Sequence, residues 1–478
     1  MQILKVGDKT EDDSLVVLDE DRLCYSVKSV SNGGVGIRTI SKALLAEWIE
    51  AYKNTPNAPS QTVREQLVGK SEIDRFEYGY AGTLAKMAKM VLGQILIIHS
   101  NVENTRQNEL YDVGERKPLS FNQQSKEDEL LLRLLAALRA KPFAILAGHS
   151  GTGKSRYVKK LAYMTCNAAE LRRDGKLPGN YLLLQVKPNW HDSTDLLGFR
   201  NAMDGNRYQK TQLIEFLFKA YHFKDTPFFL CLDEMNLAPV EQYFAEFLSA
   251  MESVEPVPLN GITEAKDNLL ELGCQWTDAR EYLKTNQFSI PNNLFIVGTV
   301  NMDETTNQFS RKVLDRAFTL EMADVNFANF GKIDEPSYSD TIEEDTIQTL
   351  LKREKAVERL DDEDIKDDSA LVNVQKALEP TAFAIAYRFA NEYTLLKRAI
   401  KAFDKDDAMK LDALDQAVLM KILPRIAGER DYIEKIYGKS ENEGLRKALA
   451  DKPVSLAKIQ SILARANDMN AQYVTFWP

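Results

Sequence analysis

Apolar runs of strand length alternate with helix-like stretches through the middle of the chain. These runs are Phe143–Ala147, Tyr181–Val186, Phe228–Leu232, Leu294–Val300 and Ala317–Leu320. Continuous apolar runs are typical of strands that are buried on both faces of a sheet. Strands that alternate with helices indicate a parallel sheet with helices on both faces. We therefore predict an α/β domain over residues 125–326.

The region before this domain has a different pattern. Residues 1–124 begin with the alternating segments Ser14–Leu18 and Leu23–Val30 and a glycine turn at Gly33-Gly34, which indicate a few strands. Apolar residues then recur at helical spacing over Ile40–Tyr52, and a more apolar helix is predicted over Tyr78–Ser100. Together these patterns predict a small α+β N-terminal domain.

Residues 327–478 are predicted to be mostly helical. Their first part, Glu343–Asp368, is rich in acidic residues and is interpreted as a solvated helix and linker. Apolar periodicity returns after Ala382. The final segment, Tyr473–Trp477, is expected to dock on the core, with contact to a partner as the alternative.

Composition narrows the class of protein. The 478 residues are 44% hydrophobic and 28% charged, which is typical of a globular protein of about three domains. The net charge of −10 argues against a protein whose whole surface binds nucleic acid. No apolar run approaches the ~18 residues that cross a bilayer, and Met1–Asp13 lacks the apolar segment of a secretory signal. Four scattered cysteines favour reduced thiols, so we expect a cytoplasmic protein without membrane contact.

A glycine-rich stretch follows the first apolar run and fits the pattern GxxxxGK[ST] at every fixed position. Its residues are Gly148, His149, Ser150, Gly151, Thr152, Gly153, Lys154 and Ser155. The context is a strand before it and the helical segment Tyr157–Met164 after it, as a phosphate-binding loop requires. Backbone N–H groups of such a loop point at phosphates, Lys154 adds a charge beside them, and Ser155 offers a hydroxyl to Mg²⁺. A GxSxG nucleophile elbow is excluded, because Thr152 stands where its last glycine must be.

Two acids follow the apolar run Phe228–Leu232. A strand's carboxyl end would place Asp233 beside the glycine-rich loop, where it can hold Mg²⁺ through water. Glu234, one residue later, can polarise an attacking water. The pair predicts a nucleotide-hydrolysing site.

A polar amide and two arginines follow the next strand. Asn301 ends the run Leu294–Val300 and suits a residue that senses the γ-phosphate. Arg311 and Arg316 are expected to lie beyond reach of their own loop, so that one of them can serve a neighbouring subunit. An arginine supplied in this way accelerates hydrolysis by about 10³–10⁵-fold. We favour Arg316, with Arg311 as the alternative.

From residue 125 to residue 478 the chain resembles the AAA+ superfamily. Within it, the chain is similar to the McrB-type NTPase subunits of modified-cytosine-directed restriction systems, which are close to the dynein/MoxR clade. The resemblance lies in the glycine-rich loop and in Asp233–Ala238, Gly298–Thr306, Val313–Ala317 and Trp190–Tyr208. It implies a P-loop AAA+ parallel sheet, a β-hairpin insert within Trp190–Tyr208 that faces a ring pore, and a helical lid over residues 327–478. It also implies a homo-oligomeric ring, with a hexamer favoured, and it makes Arg425 a candidate second sensor.

The sequence motifs do not distinguish ATP from GTP as the substrate. McrB-type GTPases carry the motif MNxxD after the sensor strand. Here Asn301 is present, but the acid Asp303 falls one residue early. The expected substrate is therefore ATP or GTP, with Mg²⁺.

The resemblance also bears on partners. The chain carries no nuclease motif, so a restriction or anti-phage role requires a separate, McrC-like nuclease subunit. DNA contact is expected through the N-terminal domain or the pore, since basic and aromatic residues such as Lys42, Arg64, Trp48 and Tyr80 are interleaved there. A solvated helix over an aromatic core explains that interleaving equally well. A MoxR-like protein-remodelling ATPase and a nucleotide-gated scaffold are the competing functions.

Overall fold

The computed structural model describes most of the chain after residue 115 and short segments before it. The described residues are 9–10, 15–20, 24–31, 34–41, 45, 48–52, 84–85, 87–89, 97–98, 116–172, 177–201, 203, 207–251, 259, 289–302, 307–322, 335–354, 356–357 and 369–477. The chain divides into two compact units, Met1–Glu109 and Leu110–Pro478.

The first unit contains a five-stranded antiparallel sheet in the order β4-β3-β2-β1-β5. Its strands are β1 (Lys9–Thr10), β2 (Leu15–Glu20), β3 (Cys24–Ser31), β4 (Gly34–Ser41) and β5 (Ile97–Ile98). The predicted helix over Ile40–Tyr52 is wrong at its start, because Ile40 pairs with Tyr25 in the sheet. Helix is present at residues 48–52, where Trp48 and Tyr52 are buried.

The helix predicted over Tyr78–Ser100 is wrong at its end. Residues 87–89 are helical, but Ile97–Ile98 form a strand that pairs with Lys9–Thr10. Two adjacent β-branched residues favour the extended backbone, and the neighbouring strand supplies the hydrogen bonds.

The second unit is built on a five-stranded sheet in the order β12-β6-β11-β10-β7, with every pair parallel. Its strands are β6 (Phe143–Gly148), β7 (Tyr181–Gln185), β10 (Phe228–Asp233), β11 (Leu294–Asn301) and β12 (Phe318–Glu321). A separate antiparallel hairpin is formed by β8 (Phe199–Asn201) and β9 (Arg207–Gln209). The prediction of an α/β fold with a parallel sheet is confirmed.

The helices surround this sheet and continue beyond it. They are α1 (Lys126–Ala140), α2 (Lys154–Thr165), α3 (Thr194–Leu197), α4 (Gln212–His222), α5 (Val240–Tyr243), α6 (Ala245–Ala250), α7 (Arg311–Leu314), α8 (Glu344–Leu351), α9 (Ser369–Leu378), α10 (Tyr387–Phe403), α11 (Ala413–Ala417), α12 (Arg430–Tyr437), α13 (Gly444–Ala448) and α14 (Pro453–Asp468). Single 3₁₀ turns lie at Ala169–Arg172, Met235–Leu237, Tyr338–Asp340 and Leu423–Arg425, and a π-helical turn spans Val418–Ile422.

The two faces of the sheet bury different sets of side chains, because successive residues of a strand point to opposite faces. On β6, Phe143 and Ile145 pack in the core that includes α4. Ala144 and Leu146 pack in the other core, which includes α1 and α10. Helix α10 lies against α1, so the C-terminal helices share a core with the sheet.

The acidic segment after residue 343 is only partly as predicted. Its first residues form α8, and Ile347 and Leu350 on this helix are buried against the core. The interpretation of this part as a solvated helix is therefore wrong, because apolar residues three apart share one face. Residues 358–368 of the predicted linker lie outside the described residues.

The end of the chain is docked, as predicted. Strand β14 (Tyr473–Thr475) pairs antiparallel with β13 (Ala427–Glu429). The side chain of Phe476 is buried, and the indole N–H of Trp477 donates to the carbonyl of Pro424 at 3.3 Å. No helix among the described residues is long and apolar enough to cross a membrane.

Candidate functional site

The glycine-rich loop connects β6 to α2, and its glycines are required for different reasons. Gly151 and Gly153 have φ values of +79° and +82°, a left-handed conformation that other residues rarely adopt. A Cβ atom on Gly148 would stand 2.5 Å from the carbonyl oxygen of Met322, so there is no space for one. The sequence pattern thus matches a loop that is both curled and closely packed.

Lys154 begins helix α2 and turns its side chain back over the loop. Its ammonium donates to the carbonyl oxygens of Gly148 at 2.9 Å and of His149 at 2.7 Å, and the residue is 5% exposed. The loop therefore holds a cation at the amino end of a helix, where backbone N–H groups and the helix dipole also attract anions.

Asp233 accepts hydrogen bonds from two hydroxyl groups on neighbouring elements. The hydroxyl of Ser155 donates to Asp233 Oδ1 at 2.5 Å, and the hydroxyl of Thr299 donates to the same oxygen at 2.6 Å. These bonds join β10, β11 and the start of α2 at one carboxylate. The carboxyl ends of parallel strands meet at the same edge of the sheet, which explains how residues so distant in sequence come together.

Glu234 stands next to this group in an unusual backbone conformation. Its φ of 53° lies in the left-handed region, and a non-glycine residue held there is often found at functional sites. Its backbone N–H donates to the hydroxyl of Thr299 at 3.1 Å. The side-chain amide of Asn301 donates to Glu234 Oε1 at 3.3 Å, so Asn301 and Glu234 lie together at the edge of the sheet.

Two residues of this site were not identified from the sequence. Thr299 hydrogen-bonds to Asp233 and to the backbone N–H of Glu234. The one feature of the sequence that could have pointed to it is its position two residues before Asn301 on the same strand. Tyr181 on β7 donates from its hydroxyl to the carbonyl of Ser155 at 3.3 Å. Burial raises the pKa of the Tyr181 phenol, so it stays a neutral donor.

The side-chain oxygens of Ser155 and Asp233 at this edge of the sheet are suitable ligands for Mg²⁺. Ser155 and Asp233 offer a hydroxyl and a carboxylate within one hydrogen bond of each other, and Mg²⁺ prefers such hard oxygen donors. Among the residues that the structure describes, no group of three or more His, Cys, Asp or Glu side chains could hold a metal ion alone. The hydroxyl of Ser155 and the carboxylate of Asp233 are thus suited to Mg²⁺ that is bound together with a phosphate group.

The segment 310–317, here called the arginine turn, contacts the C-terminal helical region. Arg311 donates to the carbonyl of Ala382 at 2.9 Å, and its guanidinium lies 4.6 Å from the centre of the Phe383 ring. Arg316 donates to the carbonyl of Lys312 at 2.6 Å within the turn. Both arginines thus have partners outside the glycine-rich loop.

Arg425 also belongs to this neighbourhood. Its guanidinium forms an ion pair with the carboxylate of Asp315 at 2.8 Å, and both side chains are largely buried. The contact links Arg425 to the arginine turn. Its role as a second nucleotide sensor stays a prediction.

The predicted hairpin insert and sensor motif can be placed in part. Strands β8 and β9 form an antiparallel hairpin before α4, and the side chain of Phe199 on it is half exposed. Asp303, on which the comparison with MNxxD depends, lies outside the described residues.

Comparisons with known proteins find one family model that matches part of the chain and a distant similarity to a solved structure. The family described as "Domain of unknown function (DUF8727)" matches residues 343–471, which is less than half of the chain. No curated protein matches the chain. Among solved structures, the chain is similar to that of a "putative ATPase" from Cytophaga hutchinsonii, with 14% sequence identity and a TM-score of 0.37. The match covers 62% of this chain and 81% of the other, and at this score it carries no argument about activity.

Proposed function

We propose that this chain is a ring-forming AAA+ NTPase that binds Mg²⁺ with ATP or GTP and hydrolyses the terminal phosphate. We further propose that it is the McrB-like motor of a DNA-restriction or anti-phage system that activates a separate nuclease. The observation that supports hydrolysis best is the grouping at one edge of the sheet. Lys154 lies in the loop, Ser155 and Thr299 bond to Asp233, and Asn301 bonds to Glu234.

Each residue has a task in this proposal. The loop amides and Lys154 bind the phosphates, whose negative charge matches the ammonium and the amino end of α2. Glu234 orients the attacking water and draws its proton, and Asn301 holds the carboxylate of Glu234 in place. Ser155 and Asp233 would hold Mg²⁺, which when bound neutralises charge on the phosphates.

Arg316 is proposed to act in the neighbouring subunit. Its guanidinium donates to the carbonyl of Lys312 within the arginine turn, which lies between β11 and β12 in the chain. An arginine from an adjacent subunit stabilises the charge that spreads over the transferred phosphoryl group. This assignment requires an oligomer, and a hexameric ring is the form that the AAA+ resemblance implies.

The decisive experiment compares phosphate release from ATP and from GTP, each with and without duplex DNA. We expect hydrolysis of at least one nucleotide and a higher rate with DNA. Lys154→Ala should abolish the activity. Lys160→Ala is the matched control, because Lys160 lies on the same helix and pairs with Glu127 at the surface. A folded wild-type protein that hydrolyses neither nucleotide, even with DNA, would refute the proposal.

The same assay separates the competing functions. Turnover that ignores DNA but rises with an unfolded polypeptide would favour the MoxR-like remodeller. Full biological function of Glu234→Gln would favour a nucleotide-gated scaffold. Cleavage of DNA by the purified chain alone would contradict a separate nuclease.

A further inference from the structure

A buried lysine joins the C-terminal helical region to the arginine turn. Lys421 lies in the π-helical turn Val418–Ile422 and is 4% exposed. Its ammonium donates to the backbone carbonyls of Asp315 at 2.8 Å and of Ala317 at 3.0 Å. It also forms an ion pair with the carboxylate of Glu392 at 2.6 Å.

These three contacts use the whole donor capacity of the group. An ammonium has three N–H donors, and here two of them bind the carbonyls that lie directly before and after Arg316. The ring of Phe318 lies 4.9 Å from the Nζ atom, which encloses the cation on another side. Single π-helical turns are often found at functional sites, because they displace one residue from the regular helix.

Glu392 extends the connection to the sheet. This carboxylate on α10 also pairs with Lys141, which lies between α1 and the first residue of β6. Burial alone would raise the pKa of Glu392, but the two ammonium groups outweigh it and hold its pKa below the usual value. A charged chain of Lys141, Glu392 and Lys421 therefore runs through the interior to the arginine turn.

Stability alone is a weak explanation for this arrangement. Removing charges from water costs several kcal/mol per ion, so apolar residues of similar volume often stabilise a core equally well. A lysine, unlike an apolar residue, can donate directional hydrogen bonds to the carbonyls of Asp315 and Ala317. Arg425 adds a second contact from the same region, to the side chain of Asp315.

We propose that Lys421 is a positioning residue that fixes the arginine turn, so that the C-terminal helical region sets the orientation of Arg316 toward the neighbouring subunit's nucleotide. The proposal rests on the proposed function of Arg316. The carbonyls of Asp315 and Ala317 thus bond to an element more than a hundred residues later in the chain, while Val313, Leu314 and Ala317 pack in a core that includes residues of the sheet. A shift of the helical region would therefore move the arginine.

The test uses Lys421→Met in the full chain, with Lys458→Met as the matched control. Lys458 also joins the C-terminal helices to the sheet, through Glu321 on β12, but it does not bond to the arginine turn. We expect Lys421→Met to lower kcat by about 10²-fold, as a displaced catalytic group does, with nucleotide affinity changed less than twofold. Lys458→Met should retain kcat within about twofold, as expected of a residue away from the catalytic groups.

A second arm asks whether Lys421 acts through Arg316. In the Arg316→Ala background, Lys421→Met should cause no further loss of kcat, because the group that it positions is already gone. Mixing Lys421→Met with Lys154→Ala subunits should restore part of the activity, since the latter supply a correctly held Arg316. An equal loss of kcat in both backgrounds, or a loss of nucleotide affinity as large as the loss of kcat, would overturn the proposal.

A third arm does not depend on activity. Amide hydrogen exchange in the segment 311–317 should be at least tenfold faster in Lys421→Met than in wild type, and unchanged in Lys458→Met. If Lys421→Met does not fold, Lys421→Gln keeps a shorter donor at the same position and serves in its place. Unchanged exchange in the segment would refute the positioning role even if hydrolysis is observed, whereas faster exchange without any wild-type hydrolysis would refute only the proposed function.

Discussion

Two regions are held in place in different ways: the arginine turn, and the edge of the sheet with the glycine-rich loop, called the phosphate-binding edge after its proposed function. At the edge, Lys154, Ser155 and Asp233 contact residues of the loop and of the adjoining strands of the same sheet. The arginine turn packs Val313, Leu314 and Ala317 in a core that includes residues of the sheet, and Lys421 and Arg425 of the C-terminal helical region bond to it as well. The first site is held by contacts within the α/β core, whereas the second also has contacts with another region.

Under the proposed function, this difference would separate binding from catalysis within one chain. The residues proposed to bind the triphosphate lie in the loop and the adjoining strands. The orientation of Arg316 depends on contacts that the C-terminal helices make. A mutation in each region should therefore damage a different step.

The largest effect is expected from Arg316→Ala. If Arg316 stabilises the transition state in a neighbouring subunit, the variant should lose about 10³–10⁵-fold in kcat while it binds nucleotide normally. Mixing it with Lys154→Ala subunits should recover some activity, because each supplies what the other lacks. Lys312→Ala, at an exposed position of the preceding helix α7, is the control and should be near wild type. Failure to recover activity at every mixing ratio would show that Arg316 acts in its own subunit or only structurally.

Glu234→Gln should have the next largest effect. In the proposed function Glu234 orients water and the loop binds the phosphates, so hydrolysis should fall by about 10²–10⁴-fold while nucleotide binding and oligomer formation persist. Single-turnover hydrolysis and size-exclusion chromatography with nucleotide measure the two properties. Undiminished turnover would show that another acid has this role.

Gly148→Ala should lower the free energy of unfolding more than Gly151→Ala does. The added Cβ would meet the backbone of Met322 at 2.5 Å, and such overpacking costs about 1–3 kcal/mol. At Gly151 there is open space, and only the left-handed backbone penalises alanine, by about 1–2 kcal/mol. Urea unfolding of both variants tests the order. A larger loss at Gly151 than at Gly148 would contradict the packing described for β6 and β12.

The smallest effect is expected in how the stability difference between wild type and Lys421→Met depends on pH. Burial lowers the pKa of Lys421 from 10.5 to about 8, against the opposing effect of Glu392, with Lys141 and Asp315 as the other charged neighbours. Between these two values the unfolded chain binds a proton that the folded chain does not, so this contribution to the free energy of unfolding rises with pH. The stability difference between wild type and Lys421→Met should therefore move in favour of wild type above pH 8, by at most about 1.4 kcal/mol per pH unit. A difference independent of pH from 7 to 10 would contradict the lowered pKa.

The sequence predicts the phosphate-binding edge better than the arginine turn. Gly148 to Ser155 are contiguous, and Asp233 and Asn301 each end an apolar strand, so local patterns and parallel topology suffice to bring them together. Lys421 is a polar residue in an apolar turn and Glu392 is one of several polar residues on α10, so only tertiary packing shows that Lys421 meets Glu392 and the carbonyls of Asp315 and Ala317. Strand pairing explains the errors at Ile40 and Ile97. Ile40 pairs with Tyr25 on the preceding strand and Ile97 pairs with Thr10, and both pairings outweighed helical spacing.

Titration calorimetry of the purified chain with ATP and with GTP, each with Mg²⁺, tests the central claim most directly. We expect saturable binding of at least one nucleotide, loss of that binding in Lys154→Ala, and full binding in both Lys160→Ala and Lys421→Met. Absence of binding of either nucleotide by the folded wild-type chain would contradict the account, as would normal binding by Lys154→Ala.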